Sequence, residues 1–277
     1  MADGKRCRAL SMNRDIEAAV APRSGALERN REAGYGYGVV SAAEAVERAV
    51  SGEWDIPEFQ RRFVWTPSQV CVLADSLWRN YPIGALLLWR AADNGGQTAQ
   101  TRWWIADGQQ RLTSLCLLWG REPLWLRRMP DELRAALLRR FAIFFDLEAE
   151  ASPRFVVANT SRPEPIAPRL VPVSRLVTLD PARGPGRSEL ERLAQELKAS
   201  RSPRELDSAE IYARLSRVCM MRHRALATTL IRHQREDVLE IFARLNSRGM
   251  RFRRLLLKLA MEEIPAAIRG IRGRGGS

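Results

Sequence analysis

Cysteine and long apolar runs are scarce in this 277-residue chain. The four cysteines, Cys7, Cys71, Cys116 and Cys219, are far apart, and no two have metal-ligand spacing. A disulfide framework or a structural zinc site is therefore not expected. No apolar stretch approaches the roughly 20 residues that span a bilayer, and the N-terminus lacks the apolar core of a secretion signal. We therefore expect a cytoplasmic protein without a membrane segment.

Lysine is also rare, although the chain is strongly basic. Of the 45 lysines and arginines, three are lysine (Lys5, Lys198 and Lys258) and the rest are arginine. A net charge of +13 and a pI of about 10.7 favour a polyanionic partner. Arginine suits bidentate phosphate contact, but the codon bias of a GC-rich genome would produce the same skew. The charge supports nucleic-acid binding, whereas the arginine richness adds little.

The pattern along the chain predicts a folded region between two loosely ordered ends. With 45% hydrophobic residues, the chain can bury a sizeable core in one large or two modest domains. We expect a flexible leader over residues 1–36 and a flexible tail over 266–277. The folded region, 37–265, divides into a core at about 37–160 and a helical part at about 187–265. Proline and turn residues between 151 and 186 are typical of a connecting segment.

Helix-start signals mark two helices in the first third of the chain. Ser41 is placed to cap a short helix that runs through Ser51. Thr66 and Gln69 form a capping-box pattern around Pro67, and this predicts a helix from Pro67 to about Asn80. Its apolar positions recur at helical spacing and form one buried stripe: Val70, Leu73, Ala74, Leu77 and Trp78.

Other segments have the patterns of short strands and further helices. Strands are expected at 83–89, 102–106, 141–147, 155–158 and 225–231, and helices at 189–199, 205–221 and 235–246. The helix that follows Gly108 has apolar residues at core spacing: Leu112, Leu115, Cys116 and Trp119.

The most informative stretch is Trp103–Leu115, which reads as a strand, a tight turn at Asp107-Gly108 and a helix. Glycine permits a positive φ at such a turn, and the N–H groups of a helix start favour an anion. Arg111 has the planar fork that clamps phosphate. Asp107 is placed to hold a metal ion, orient a water or cap the helix. An ordinary capped strand-to-helix junction explains the same residues, and both interpretations stay open here.

Two more polar groups lie elsewhere in the sequence. Gln60, Arg61 and Arg62 lie in an extended run of aromatic residues before Trp65. Far downstream, Asn246 and Ser247 end a predicted helix that Gly249 would close with a left-handed cap. They are followed by a basic concentration, which is either a phosphate contact surface or a solvated helix end: Arg248, Arg251, Arg253, Arg254 and Lys258.

These motifs together resemble the N-terminal domain of GmrSD-type restriction enzymes. The resemblance is carried by Ile56-Pro57 with Gln60-Arg61 and Trp65, by Tyr81–Gly84, by Asp107–Arg111 and by Ile241–Gly249. It spans roughly Val39 to Glu263 in the family's motif order. It implies an α+β fold: a ParB/sulfiredoxin-like small mixed sheet with flanking helices, followed by a mainly helical region.

The resemblance also implies a site. One cleft would be lined by Gln60, Arg61, Asp107, Gly108, Gln109, Gln110 and Arg111, with Thr113 and Asn246 as further nucleotide-binding residues. The family links this cleft to NTP binding or hydrolysis. Asp107, Gln110 and Arg111 would then be catalytic, and Asp107 would take the Mg²⁺ that accompanies the NTP.

Nuclease activity in this chain itself is not expected. Full-length relatives usually continue into an HNH nuclease domain, which needs paired histidines and an asparagine, whereas His223 and His233 stand alone. We therefore expect a bacterial nucleotide-binding sensor module of a phage-defence system, with a separate nuclease subunit as partner. Two alternatives stay open: a non-enzymatic DNA-binding or nuclease-docking protein, and a truncated inactive relative.

Overall fold

The computed structural model describes residues 28–30, 35–57, 60, 62–90, 103–150, 154–158, 167–182, 184–200, 206–231, 238 and 240–241. It is an α+β protein, as the sequence predicted. The strands are β1 (Glu28–Asn30), β2 (Tyr35–Ser41), β3 (Trp54–Asp55), β4 (Leu86–Trp89), β5 (Trp103–Asp107), β6 (Ile143–Asp146), β7 (Phe155–Val157), β8 (Leu170–Pro172) and β9 (Ala225–Ile231). The helices are α1 (Ala42–Ser51), α2 (Pro67–Trp78), α3 (Gln109–Leu118), α4 (Leu124–Arg127), α5 (Asp131–Arg140), α6 (Val173–Leu176), α7 (Gly184–Ala199) and α8 (Ser208–Cys219), with a 3-10 turn at Met220–His223.

Six described strands form a mixed sheet in the order β1-β2-β9-β4-β5-β3. β2 and β9 pair antiparallel from Tyr35 opposite Ile231 to Ser41 opposite Ala225. β9 also pairs with β4 in parallel, and β4 pairs with β5 antiparallel. A strand from the downstream part of the chain therefore lies in the middle of the sheet, between strands from the upstream part.

A second sheet has the order β7-β6-β8 and is antiparallel throughout. β8 and the short helix α6 lie within the stretch that proline and turn residues marked as a connecting segment. Their residues Val171, Val173 and Leu176 are buried in the main core. The stretch is therefore partly a structural element of the fold, because each of these apolar side chains covers the inner face of β6 or its neighbours.

The predicted helix starts are confirmed. The Ser41 side chain accepts a hydrogen bond from the Glu44 backbone nitrogen at the start of α1. Thr66 and Gln69 form a reciprocal capping box at the start of α2, with Pro67 in its first turn. The predicted stripe of α2 is buried at Val70, Leu73, Ala74 and Leu77, whereas Trp78 is partly buried.

Three boundaries differ from the predictions. The expected strand at 83–89 begins only at Leu86, since Gly84 has a left-handed φ of 85°. The glycine alternation at 34–38 was interpreted as the end of a loose leader, but Tyr35–Ser41 is a strand held by neighbours on both sides. α5 was not predicted: it has no buried residue and therefore no apolar stripe to reveal it.

The apolar stripe predicted for 235–246 is described only at Val238, Glu240 and Ile241, which are helical. Val238 is buried against Leu87, Trp89 and Ile231, on a sheet face outside the main core. The other residues of that predicted helix, and the predicted leader and tail at 1–27 and 266–277, lie outside the described residues. Likeness to the ParB/sulfiredoxin fold stays a prediction. Within the described ranges, no helix has the length and apolarity to cross a membrane.

Candidate functional site

The turn between β5 and α3 has the geometry that its sequence predicted. β5 ends at Asp107, Gly108 follows with a φ of 95°, and α3 begins at Gln109. Gly108 is the N-cap of α3, and no side chain caps this helix. A Cβ at Gly108 would lie 2.5 Å from Leu86 Cδ2. Glycine is therefore required both by the backbone conformation and by the close packing on β4.

Two glutamines join the loop before α2 to this turn. Gln60 Nε2 donates to the carbonyl oxygens of Ile105 and Ala106, at 2.7 and 3.0 Å. In return, Gln110 Oε1 accepts from the Val64 nitrogen at 2.9 Å, and Gln110 Nε2 donates to the Arg62 carbonyl at 3.2 Å. The structure thus brings together the two polar clusters that are 46 residues apart in sequence.

Arg111 is fixed in orientation by two groups of the protein. Its Nη1 donates to the Ile83 carbonyl oxygen at 2.9 Å, and its Nη2 to Asp107 Oδ2 at 3.3 Å. The Arg111 side chain is 18% exposed and that of Asp107 is 48% exposed. The guanidinium is therefore half enclosed beside an accessible carboxylate. Two of its five N–H donors are engaged in these bonds.

Gly84 leaves the room that the Arg111 guanidinium occupies. A Cβ on Gly84 would lie 2.3 Å from Arg111 Nη1, and Gly84 has a left-handed φ. On the other side, a Cβ on Gly108 would lie 3.4 Å from Arg111 Nη2. The Tyr81–Gly84 and Asp107–Arg111 motifs therefore meet at one side chain, and each contributes a glycine that allows the close approach.

A surface groove with a volume of about 410 Å³ opens beside Arg111. It runs between the exposed side of α2 and the segment that precedes β4. Its lining is mostly apolar, with two hydroxyls, one amide and one guanidinium: Trp65, Ser68, Gln69, Val72, Leu73, Ser76, Pro82, Ile83 and Arg111. Of the predicted site residues that the structure describes, Arg111 is the one that lines this groove.

Several predicted site residues face the interior. Gln109 and Gln110 are 5% and 8% exposed, and Thr113 is fully buried. Thr113 Oγ1 accepts a hydrogen bond from Trp125 Nε1 at 3.0 Å. These side chains support the turn and the core of α3 at the positions where the structure holds them. Arg61 and Asn246 lie outside the described residues, as do His233 and the basic concentration after Asn246.

Sequence analysis missed most of the groove lining. Ser68, Val72 and Ser76 were left unassigned on the side of α2 away from its buried stripe, and Pro82 was considered only as the end of the helix. Val72 is 67% exposed. An apolar residue off the buried stripe of an amphipathic helix was the available signal.

The donor set for a metal ion was tested on the described residues. Within them, no group of three or more histidine, cysteine or acidic side chains is placed to hold a metal. Asp107 offers one accessible carboxylate, already paired with Arg111. Mg²⁺ in nucleotide sites is commonly held by one or two carboxylates, with phosphates and waters completing the shell. Asp107 therefore fits Mg²⁺ that arrives with a nucleotide and does not fit a resident ion.

The comparisons agree with the motifs. No curated protein matches this chain. The family model described as "GmrSD restriction endonuclease, N-terminal domain" matches residues 43–255, which contain every described part of the groove and the turn. Since this match covers most of the sequence, the chain belongs to the GmrSD restriction endonuclease N-terminal domain family.

Proposed function

We propose that this protein binds a nucleoside triphosphate in the groove beside Arg111, as the nucleotide-sensing part of a DNA restriction system. Membership in the family supports the restriction role. The observation that carries the nucleotide assignment is the Arg111 guanidinium, held in one orientation at the wall of an otherwise apolar groove.

The size and lining of the groove suit a nucleotide. Small-molecule sites usually have volumes of roughly 300–1,000 Å³ and apolar walls with a few placed polar groups. Trp65, Val72 and Ile83 supply apolar surface for a base, and Ser68 and Ser76 supply hydroxyls for its edge or the ribose. Arg111 supplies charge-assisted donors for phosphate at the same wall.

The phosphates would extend from Arg111 toward the turn at Gly108. The N-terminus of α3 lies there without a side-chain cap, and its partial positive charge favours an anion. Asp107 would hold the Mg²⁺ that accompanies the triphosphate or orient a water. Gln60 and Gln110 would keep the loop and the turn together, because their amides are bonded to backbone groups.

Calorimetric titration with ATP, GTP, CTP and UTP, each with Mg²⁺, tests binding. We expect at least one nucleotide to bind, and Arg111→Ala to weaken it about 10- to 100-fold, as for loss of hydrogen bonds to a charged group. Arg192→Ala is the matched control, since Arg192 is an exposed arginine on α7 paired with glutamates. Equal affinities of wild type and Arg111→Ala would remove the assignment.

Phosphate release by the same proteins separates hydrolysis from binding. If the groove hydrolyses NTPs, Asp107→Asn lowers the rate more than it lowers the affinity. DNA titrations at several salt concentrations address the DNA-binding alternative, since contacts to backbone phosphates lose affinity steeply as salt rises. DNA affinity of that kind, without nucleotide affinity, would replace the proposed function by that alternative.

A further inference from the structure

A cluster of arginines surrounds Trp78 at the C-terminal end of α2. The guanidinium carbon of Arg217, on α8, lies 3.6 Å from the centroid of the Trp78 indole, and that of Arg154 lies 4.3 Å from it. Cation–π attraction accounts for the position of each side chain. It does not remove the repulsion between two cations held against one indole.

A third guanidinium joins this cluster from the residue before β9. Arg224 Nε donates to the carbonyl oxygen of Leu77, the neighbour of Trp78, at 2.9 Å. Burial, and then the nearby charge of Arg217, lower the pKa of Arg224. Arginine stays protonated at any physiological pH. Three separate segments of the chain therefore bring like charges to one place.

The carboxylate beside these arginines is mostly used elsewhere. Asp75 forms an ion pair of 2.6 Å with Arg79, and its other oxygen lies 3.5 Å from Arg154 Nη1. Within the part of the chain that the structure describes, neither Arg217 nor Arg224 forms an ion pair. The cluster thus carries a local excess of positive charge that one carboxylate does not balance.

Two donors of the cluster are also buried without an acceptor. Trp78 Nε1 and Arg154 Nη1 have no hydrogen-bond partner among the described residues. A buried donor that lacks an acceptor costs free energy. An anion with several acceptor oxygens would satisfy such donors and would offset the charge excess in one step.

We propose that Arg154, Arg217 and Arg224 around Trp78 form a binding site for a phosphate group. A tetrahedral phosphate accepts the paired N–H donors of guanidinium forks, and the three arginines offer several. None of these residues lines the groove beside Arg111, so the site is separate from the proposed nucleotide site. The phosphate belongs either to a free phosphate compound or to a nucleic-acid backbone, which share this chemistry.

Calorimetric titration of Arg111→Ala protein tests the site without the groove's own arginine. The probes are inorganic pyrophosphate and a short oligothymidylate. We expect binding to persist in Arg111→Ala and to fall about tenfold when Arg217→Gln is added, as for loss of one charge-assisted hydrogen bond. Adding Arg187→Gln instead should leave it unchanged, because Arg187 is an exposed arginine of α7 paired with Glu191.

The two probes distinguish the sources of the phosphate. A tenfold loss for both assigns a nucleic-acid phosphate, and a loss for pyrophosphate alone assigns a free compound. If neither probe binds Arg111→Ala protein, or if Arg217→Gln and Arg187→Gln act alike, the proposal is wrong. Thermal melts establish that the variants fold. Should Arg217→Gln unfold, Arg217→Lys, which keeps the charge and loses the planar fork, must still weaken binding.

Discussion

The side-chain oxygen of Gln110 accepts a hydrogen bond from the backbone nitrogen of Val64 at 2.9 Å. The amide nitrogen of Gln110 donates to the Arg62 carbonyl, so one buried side chain holds two backbone groups of the loop before α2. The next residue of this loop, Trp65, lines the groove. The second glutamine of the Asp107–Arg111 motif thus positions a groove wall through the main chain.

Replacing Gln110 should therefore destabilise the fold. Gln110→Leu keeps the approximate size but leaves the Val64 N–H and the Arg62 carbonyl without their partner. Loss of a hydrogen bond that leaves a buried group unsatisfied costs about 1–3 kcal/mol. Urea unfolding followed by circular dichroism measures this loss. Gln195→Leu, at an exposed position of α7, is the control. Equal unfolding free energies of the two variants would contradict the positioning role.

Thr113 should matter for stability and not for nucleotide binding. Its hydroxyl is buried and accepts from Trp125 Nε1. Thr113→Val preserves the shape and leaves the indole N–H unsatisfied, at a cost of about 1–3 kcal/mol. Thr113→Ser keeps the acceptor and should lose less. Denaturant unfolding gives the stabilities, and nucleotide titration below the melting temperature gives the affinities. A binding defect in Thr113→Val at wild-type stability would restore Thr113 as a ligand-binding residue.

The buried thiols should be unreactive in the folded protein. Burial raises the pKa of Cys71 to about 11 and that of Cys219 to about 12, and it raises the pKa of Cys116 further. Thiolate is the reactive form, so Ellman's reagent at pH 8 should label these residues slowly until urea unfolds the chain. The Cys7→Ser variant removes the fourth thiol from the measurement. Rapid labelling of Cys219 in native protein would contradict its burial.

The same shifts give a pH dependence of stability. A folded pKa above the ordinary value near 9 means that the folded state favours the neutral thiol. This contribution is fully present below about pH 9 and is lost as pH rises through the folded values of about 11 and 12. Urea midpoints measured from pH 8 to pH 11 should therefore fall more steeply for wild type than for Cys219→Ala.

Local signals in the sequence predicted local structure well. Thr66, Pro67 and Gln69 predict the start of α2 because their bonds close within one turn. The spacing of Leu112, Leu115 and Cys116 predicts burial because helix geometry alone puts them on one face, and all three are fully buried.

Long-range pairing is what the sequence did not reveal. The place of β9 between β2 and β4 depends on backbone bonds between residues more than a hundred positions apart. The amide of Gln110 appeared in the sequence as a candidate catalytic group, and its backbone partners become visible only in the folded chain. The groove was missed for the same reason, since Arg111 meets α2 only through the path of the chain at Ile83 and Gly84.

Gly84 and Gly52 offer a matched test of whether Arg111 holds the ligand. Both have left-handed φ, 85° and 82°, so alanine strains each backbone similarly, by about 1–2 kcal/mol. At Gly84 the new Cβ would lie 2.3 Å from Arg111 Nη1, whereas at Gly52 it would lie 3.0 Å from Leu124 Cδ2. Alanine at position 84 must therefore displace the guanidinium, and alanine at position 52 must shift a leucine away from the groove.

We expect Gly84→Ala and Gly52→Ala to lose similar unfolding free energy, and only Gly84→Ala to lose nucleotide affinity, by about tenfold or more. Denaturant unfolding and calorimetric titration of the same preparations measure both quantities. In an Arg111→Ala background the Gly84 change should have no further effect on affinity, because the side chain that it displaces is gone. Additive effects of the two substitutions on affinity would show that Gly84 acts on the ligand by another route.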